Sequence, residues 1–107
     1  MTRAWREHPA ALDELHAAAL WFDDRRAGLG DEFMDAVNST IRSVLDPTIT
    51  WGFYLARKST PQLYARSVRG FPYDIVYIID DAGDVLIVAY AHERRRGEYW
   101  IERTAKL

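Results

Sequence analysis

No cysteine occurs among the 107 residues, which removes disulfides, thiol nucleophiles, thiolate-ligated zinc and iron–sulfur clusters together. A chain of this size that folds without disulfide staples suits a reducing cytoplasm. No stretch approaches the roughly 18 apolar residues of a membrane span. The opening residues, Met1-Thr2-Arg3-Ala4-Trp5-Arg6-Glu7-His8, are charged every second or third position and form no signal-peptide core. The expectation is a cytoplasmic protein that does not engage the membrane. Lysine is also scarce: only Lys58 and Lys106 occur, so 12 of the 14 basic side chains are arginine. Glycine (6) and proline (4) are few and scattered as punctuation, and no repeat, low-complexity run or linker interrupts the chain.

What is present is a dense supply of bulky apolar groups. Hydrophobic residues make up 49% and charged residues 28%, with 4 Trp, 6 Tyr and 4 Phe, which excludes intrinsic disorder and predicts one core in a single domain over residues 1–107. The formal charge of −2 argues against a surface that is basic all over. The charge is unevenly spread, since residues 1–54 hold 5 basic against 9 acidic side chains and residues 55–107 hold 9 against 7. The guanidinium's planar fork binds carboxylate or phosphate at two points, so an acidic partner fits the second half.

Periodicity supplies the elements. Pro9 suits the first turn of a helix, and Leu12, Leu15, Ala19 and Phe22 recur at three- and four-residue steps with Asp13, Glu14, Asp23 and Asp24 off that stripe, predicting a helix over 9–26. Gly28-Leu29-Gly30 breaks the pattern, and Phe33, Val37, Ile41 and Val44 restart it, giving a second helix near 31–45 and hence a helical hairpin. Residues 46–62, with Pro47, Gly52 and Pro61, show no sustained period and read as a long connection whose Trp51, Phe53, Tyr54 and Leu55 need covering. From Tyr64 the period becomes two. Strands are expected over Tyr64–Arg69, over Phe71–Ile79 and, after the turn Asp81-Ala82-Gly83, over Val85–Tyr90; a short strand at Ala4–His8 completes the set. Val85-Leu86-Ile87-Val88-Ala89 is apolar on both faces, as a central strand should be. The result is an α+β fold of βααβββ order, with the helical hairpin on a small, mostly antiparallel sheet. Phe33, Val37 and Ile41 should then pack against Tyr73, Ile75, Tyr77 and Ile87.

One segment departs from packing logic. His92-Glu93-Arg94-Arg95-Arg96-Gly97-Glu98-Tyr99-Trp100 carries one imidazole, three guanidiniums and two aromatic rings off the end of the central strand. One reading is a solvated polar turn balanced by Glu93 and Glu98, with Trp100 covering the core edge. Another follows from phosphodiester cleavage by 2′-hydroxyl attack, which needs a base for the hydroxyl, an acid for the leaving oxygen and cations on the phosphorane. His92 or Tyr99 would move protons there, and Arg94, Arg95 or Arg96 would hold phosphate. Arg66 and Arg69 lie on the preceding strand, where alternation sends them to opposite faces, so at most one joins the site. Metal chemistry lacks ligands in the right places: His92-Glu93 begins like a zincin helix, but Arg96 stands where the second His would be, and His8 and His16 are eight residues apart. No nucleophile elbow or phosphate-binding glycine loop occurs, and no cofactor is expected.

Several blocks, taken in order, resemble a known family: Pro9-Ala10 opening a helix that ends in Trp21-Phe22, then Gly28-Leu29-Gly30-Asp31-Glu32-Phe33, then Arg66 through Gly70 into Phe71-Pro72-Tyr73-Asp74-Ile75-Val76-Tyr77, and Ala91-His92-Glu93-Arg94-Arg95-Arg96 before Tyr99-Trp100. They are similar to the RelE/ParE superfamily of type II toxin–antitoxin toxins, often labelled plasmid stabilisation proteins, over nearly the whole chain. The resemblance implies the same fold and a cognate antitoxin as partner. RelE-like members cleave messenger RNA on the ribosome, and for that activity it implies His92, Arg95, Tyr99 and Arg69 as catalytic residues. ParE-like members poison DNA gyrase, and for them Arg94, Arg95, Arg96 and Trp100 are the expected target contacts. Two lysines and a charge of −2 remove the general attraction a ribosome binder exploits, which favours the ParE-like branch. A third alternative is a degenerate module that only pairs with the antitoxin. Gly97 stands where relatives commonly carry Pro.

Overall fold

The computed structural model describes residues 4–46, 62–94 and 99–104. Its elements run β1 (Trp5–Glu7), α1 (Pro9–Arg25), α2 (Leu29–Leu45), β2 (Tyr64–Ser67), β3 (Tyr73–Ile79), β4 (Val85–His92) and a short α3 (Ile101–Thr104). The chain is therefore α+β, with a helical hairpin and a four-stranded mixed sheet of order β1-β4-β3-β2. β1 pairs parallel with β4, whereas β2–β3 and β3–β4 are antiparallel. The expected connection lies outside the described residues apart from its ends, Asp46 and Gln62.

α1 begins where the sequence supplies a cap and a fixed φ. His8 is extended at φ −64° and ψ 140°, its Nδ1 accepts the Ala10 N–H, and Pro9 occupies the first turn, where its missing N–H has no helical partner to lose. The face that turns inward is Ala11, Leu15, Ala18 and Phe22, with Leu12 and Ala19 at its flanks, so the buried stripe is rotated by about one position from the expected one.

The break between the helices is built from two glycines with different tasks. Gly28 takes φ +88°, a backbone region that L side chains rarely enter. Gly30 lies where a Cβ would meet the Ala19 carbonyl oxygen at 2.5 Å and the Asp23 carboxyl carbon at 2.7 Å. The helices close to this distance because Asp23 Oδ1 accepts the Gly30 N–H at 2.7 Å, so a carboxylate on α1 caps the start of α2. α2 consequently starts at Leu29, two residues before the expected position.

The hairpin packs on the sheet as the two periods require. Phe33, Val37, Ile41 and Val44 from α2 join Leu15, Ala18 and Phe22 from α1, and Ile75, Tyr77, Val85, Ile87 and Tyr90 from the sheet, in one buried cluster with Tyr73 at its edge. Burial of such a side chain contributes roughly 1.5–3 kcal/mol of transfer free energy, which makes this layer the main source of stability. The opposite face buries Val76, Ile78, Leu86, Val88, Ala89 and Trp100.

β4 is central, as its apolar run implied, but it does not alternate throughout. Tyr77 pairs with Ile87 and Val76 with Ala89, leaving Val88 as an extra residue, a β-bulge. Before the bulge, Val85 and Ile87 face the helices and Leu86 faces away; after it, Ala89 faces away and Tyr90 faces the helices. β4 also runs on to His92, which pairs with Tyr73, beyond the expected end at Tyr90.

Candidate functional site

The re-aimed end of β4 faces α1, and between them lies a cleft of about 670 Å³ lined by Ala17, Ala18, Trp21 and Phe22 of the helix, by Pro72, Tyr73, Tyr90 and His92 of the sheet, and by Glu14 and Tyr99. The bulge is what brings Tyr90 and His92 to it. Strict alternation along β4 would send both to the opposite face.

Glu14 organises one side of this cleft. β1 ends beside Ile87, so the Tyr90 N–H has no strand partner on that side, and Glu14 Oε1 accepts it at 3.2 Å. Tyr99 donates its hydroxyl proton to Glu14 Oε2 at 2.7 Å. Arg103 of α3 completes the set with a two-point ion pair, Nη1 to Oε1 at 2.9 Å and Nη2 to Oε2 at 3.2 Å, and Nη1 also reaches the Val88 carbonyl of the bulge at 3.0 Å. The Arg103 and Glu14 side chains are only 17% and 14% exposed. The guanidinium also lies over the Tyr99 ring, 5.3 Å from its centroid. One carboxylate thus ties α1, β4 and the C-terminal segment together.

A second carboxylate holds the other end of Tyr90, whose hydroxyl donates to Glu7 Oε2 at 2.6 Å. Burial, and then the Glu7 carboxylate, push the Tyr90 phenol far above its ordinary range. Burial, followed by the Glu14 charge, also raises Tyr73. Both phenols stay protonated at neutral pH.

His92 is held by its neighbours in a particular way. Its Nδ1 accepts the Arg94 N–H at 3.0 Å, and its ring meets Tyr73 edge-on at 5.1 Å. With Nδ1 accepting, the neutral imidazole carries its proton on Nε2 and offers a donor there. A base at Nε2 would require the proton to move to Nδ1, against the Arg94 N–H.

The expected site residues separate into groups. His92 and Tyr99 line the one cleft. Arg94 is exposed just beyond β4, and Arg69 is exposed in the β2–β3 turn, whose Pro72 carbonyl accepts the Glu93 N–H at 2.9 Å, so both belong to the same end of the sheet. Arg66 donates to Ser43 Oγ of α2 at 3.0 Å and is not part of the cleft. Trp100 corrects the expectation of a target contact: it is 0% exposed and packs on the far face of the sheet, where its bulk is worth more to the core than to a surface. Arg95 and Arg96 lie outside the described residues.

Glu14 and Arg103 were not anticipated. Placing Glu14 off the apolar stripe is corrected by the structure, in which it points toward the sheet. Its spacing carried the signal, because Ala11, Glu14, Ala18 and Trp21 follow one another at three- and four-residue steps, and an acid within an inward face implies a buried cation. Among the described residues no three His, Asp or Glu side chains converge as metal ligands, and no helix is long and apolar enough to cross a membrane.

No family profile matches the chain, and no curated protein or solved structure matches it significantly.

Proposed function

We propose that this chain is the toxin of a type II toxin–antitoxin pair, of RelE/ParE kind and nearer to the ParE-like branch, which acts in the cytoplasm by binding DNA gyrase and is neutralised by a cognate antitoxin. The observation that carries this reading is the state of the two proton-transfer candidates. His92 Nδ1 is occupied by the Arg94 N–H, and the Tyr99 proton is given to a carboxylate already paired with Arg103. Groups committed in this way suit a fixed binding surface better than general acid–base chemistry, which needs a free base within reach of the reacting hydroxyl. The βααβββ order and the paired helices on the sheet agree with what the sequence resemblance implies for this kind of toxin. The formal charge of −2 supports a protein target over the ribosome.

The RelE-like alternative draws support from His92 and Tyr99 sharing one cleft. Expression of the chain alone separates the two. Gyrase inhibition predicts growth arrest with stalled gyrase–DNA complexes and intact transcripts. Ribosome-dependent, codon-specific transcript cleavage by the purified chain would overturn that reading in favour of a nuclease. Growth unaffected by expression would leave the module that only pairs with an antitoxin. Coexpression with the adjacent reading frame should give a complex stable to size exclusion.

A further inference from the structure

The cleft beside α1 has features that the toxin reading does not use. Its volume, about 670 Å³, lies within the roughly 300–1,000 Å³ typical of small-molecule sites. The small side chains Ala17 and Ala18 open the helix wall, while Trp21, Phe22, Tyr73 and Tyr99 present ring surfaces from different sides. Trp21 is 52% exposed at the edge of the cleft, with the Arg25 guanidinium 4.3 Å from its ring centroid, so part of a large apolar ring remains open to a ligand.

The polar groups are few and of one kind. Nδ1 of His92 is occupied by the Arg94 N–H, which leaves Nε2–H as a donor, and the Tyr73 hydroxyl makes no hydrogen bond among the described residues. Glu14 is neutralised by Arg103 and saturated by Tyr99 and the Tyr90 N–H. A ligand here therefore meets two donors on an aromatic wall, and none of the described residues that line the cleft is a lysine or arginine able to pair with an anion.

We propose that this cleft binds a neutral, planar heteroaromatic molecule of one or two fused rings, stacked against the Trp21 side and accepting hydrogen bonds from His92 Nε2 and Tyr73 Oη. The rings supply apolar burial, and the two donors fix orientation and select for an acceptor edge. A purely hydrocarbon ring would leave both donors desolvated and unpaired. The raised Tyr73 phenol keeps that group a donor through neutral and mildly alkaline pH. The inference is independent of the cellular target.

Isoquinoline and naphthalene, equal in shape and different by one ring nitrogen, test it, with isoquinoline-1-carboxylate as the charged analogue. Titration of the intact chain at mildly alkaline pH, followed by amide NMR shifts and Trp fluorescence, should give saturable isoquinoline binding with shifts confined to the second half of α1 and the facing ends of β3 and β4. Naphthalene should bind about fivefold more weakly, the worth of one ordinary hydrogen bond, and the carboxylate more weakly than isoquinoline. His92→Phe should diminish the preference for isoquinoline, and combined with Tyr73→Phe it should abolish it. Tyr73→Phe should diminish it with the backbone undisturbed, which keeps the test decisive if the histidine variant loses its folded spectrum. The proposal is overturned by isoquinoline shifts that do not saturate, by equal affinity for the two neutral rings, or by tighter binding of the carboxylate.

Discussion

Val37 on α2 and Glu14 on α1 belong to the same helical hairpin, and both turn toward the sheet, yet they are held in place by different physics. Val37 is 0% exposed within an apolar cluster, and its side chain has no group that can make a directed bond. Glu14 receives two bonds from a guanidinium, one from a phenol and one from the backbone N–H of a strand past the end of its neighbour. The apolar layer tolerates hydrophobic substitutions that conserve volume at modest cost, because contact has little directionality. The polar knot tolerates replacement of a whole pair better than loss of one member, because the survivor is left as a buried charge. Stability is spread over the first region, whereas the second fixes where the C-terminal segment lies.

The strongest way to break this comparison is Val37→Asp. It inserts an unpaired carboxylate into the apolar layer and should cost about 4 kcal/mol or more, a large share of the stability of a domain this size. Urea unfolding monitored by tryptophan fluorescence measures it, and a loss below about 1 kcal/mol would mean that α2 does not pack as described. Arg103→Met should cost less, about 3 kcal/mol, by stranding the Glu14 charge. Adding Glu14→Gln to that variant should restore a substantial part of the loss. If the double variant were as unstable as the simple sum of the two single ones, the pair would not be coupled and the contrast with Val37 would lose its basis.

A third substitution tests the joint between the helices, where local and tertiary preferences oppose each other. Gly→Ala inside a helix ordinarily stabilises by about 1 kcal/mol. At Gly30 the added Cβ would meet the Ala19 carbonyl oxygen, which is backbone and moves only with α1. Gly30→Ala should therefore destabilise, by about 2 kcal/mol, as an overpacked contact does. A thermal midpoint that rises on this substitution would show that the helices do not approach so closely.

These sites also mark how far the sequence could be read. The helical stripes, the central position of β4 and the hairpin on the sheet follow from periods of 3.6 and 2, which are properties of consecutive residues. The rotation of α1, which buries Ala11 and Ala18 in place of a Leu12 and Ala19 centre, is decided by the helix's partner, and alanine carries little hydrophobic contrast of its own. The bulge at Val88 is invisible in Val85-Leu86-Ile87-Val88-Ala89, because a run apolar on both faces accepts either register. That one residue decides whether Tyr90 and His92 join the helix side, so the cleft could not be assembled from spacing alone. Arg103 is 89 residues from Glu14, and only the fold makes them neighbours.

The smallest effect expected concerns pH and the other end of the polar knot. Burial and the bond to Glu7 raise the Tyr90 phenol in the folded state from an ordinary value of 10.0, and Tyr73 is raised in the same direction. A raised folded-state pKa means that above about pH 10 the unfolded chain releases protons which the folded chain retains. The stabilisation from these neutral phenols is therefore complete below that pH and declines as pH rises through and beyond it, with a limiting slope of about 1.4 kcal/mol per pH unit for Tyr90. Tyr90→Phe should cost about 1 kcal/mol at neutral pH through the lost bond to Glu7, and it should flatten the alkaline decline. Unfolding midpoints of the two proteins in urea should thus converge as pH increases past about 10. Parallel curves would indicate that the Tyr90 hydroxyl ionises as readily in the folded chain as in the unfolded one, which is incompatible with a 2.6 Å bond to a carboxylate in a buried setting.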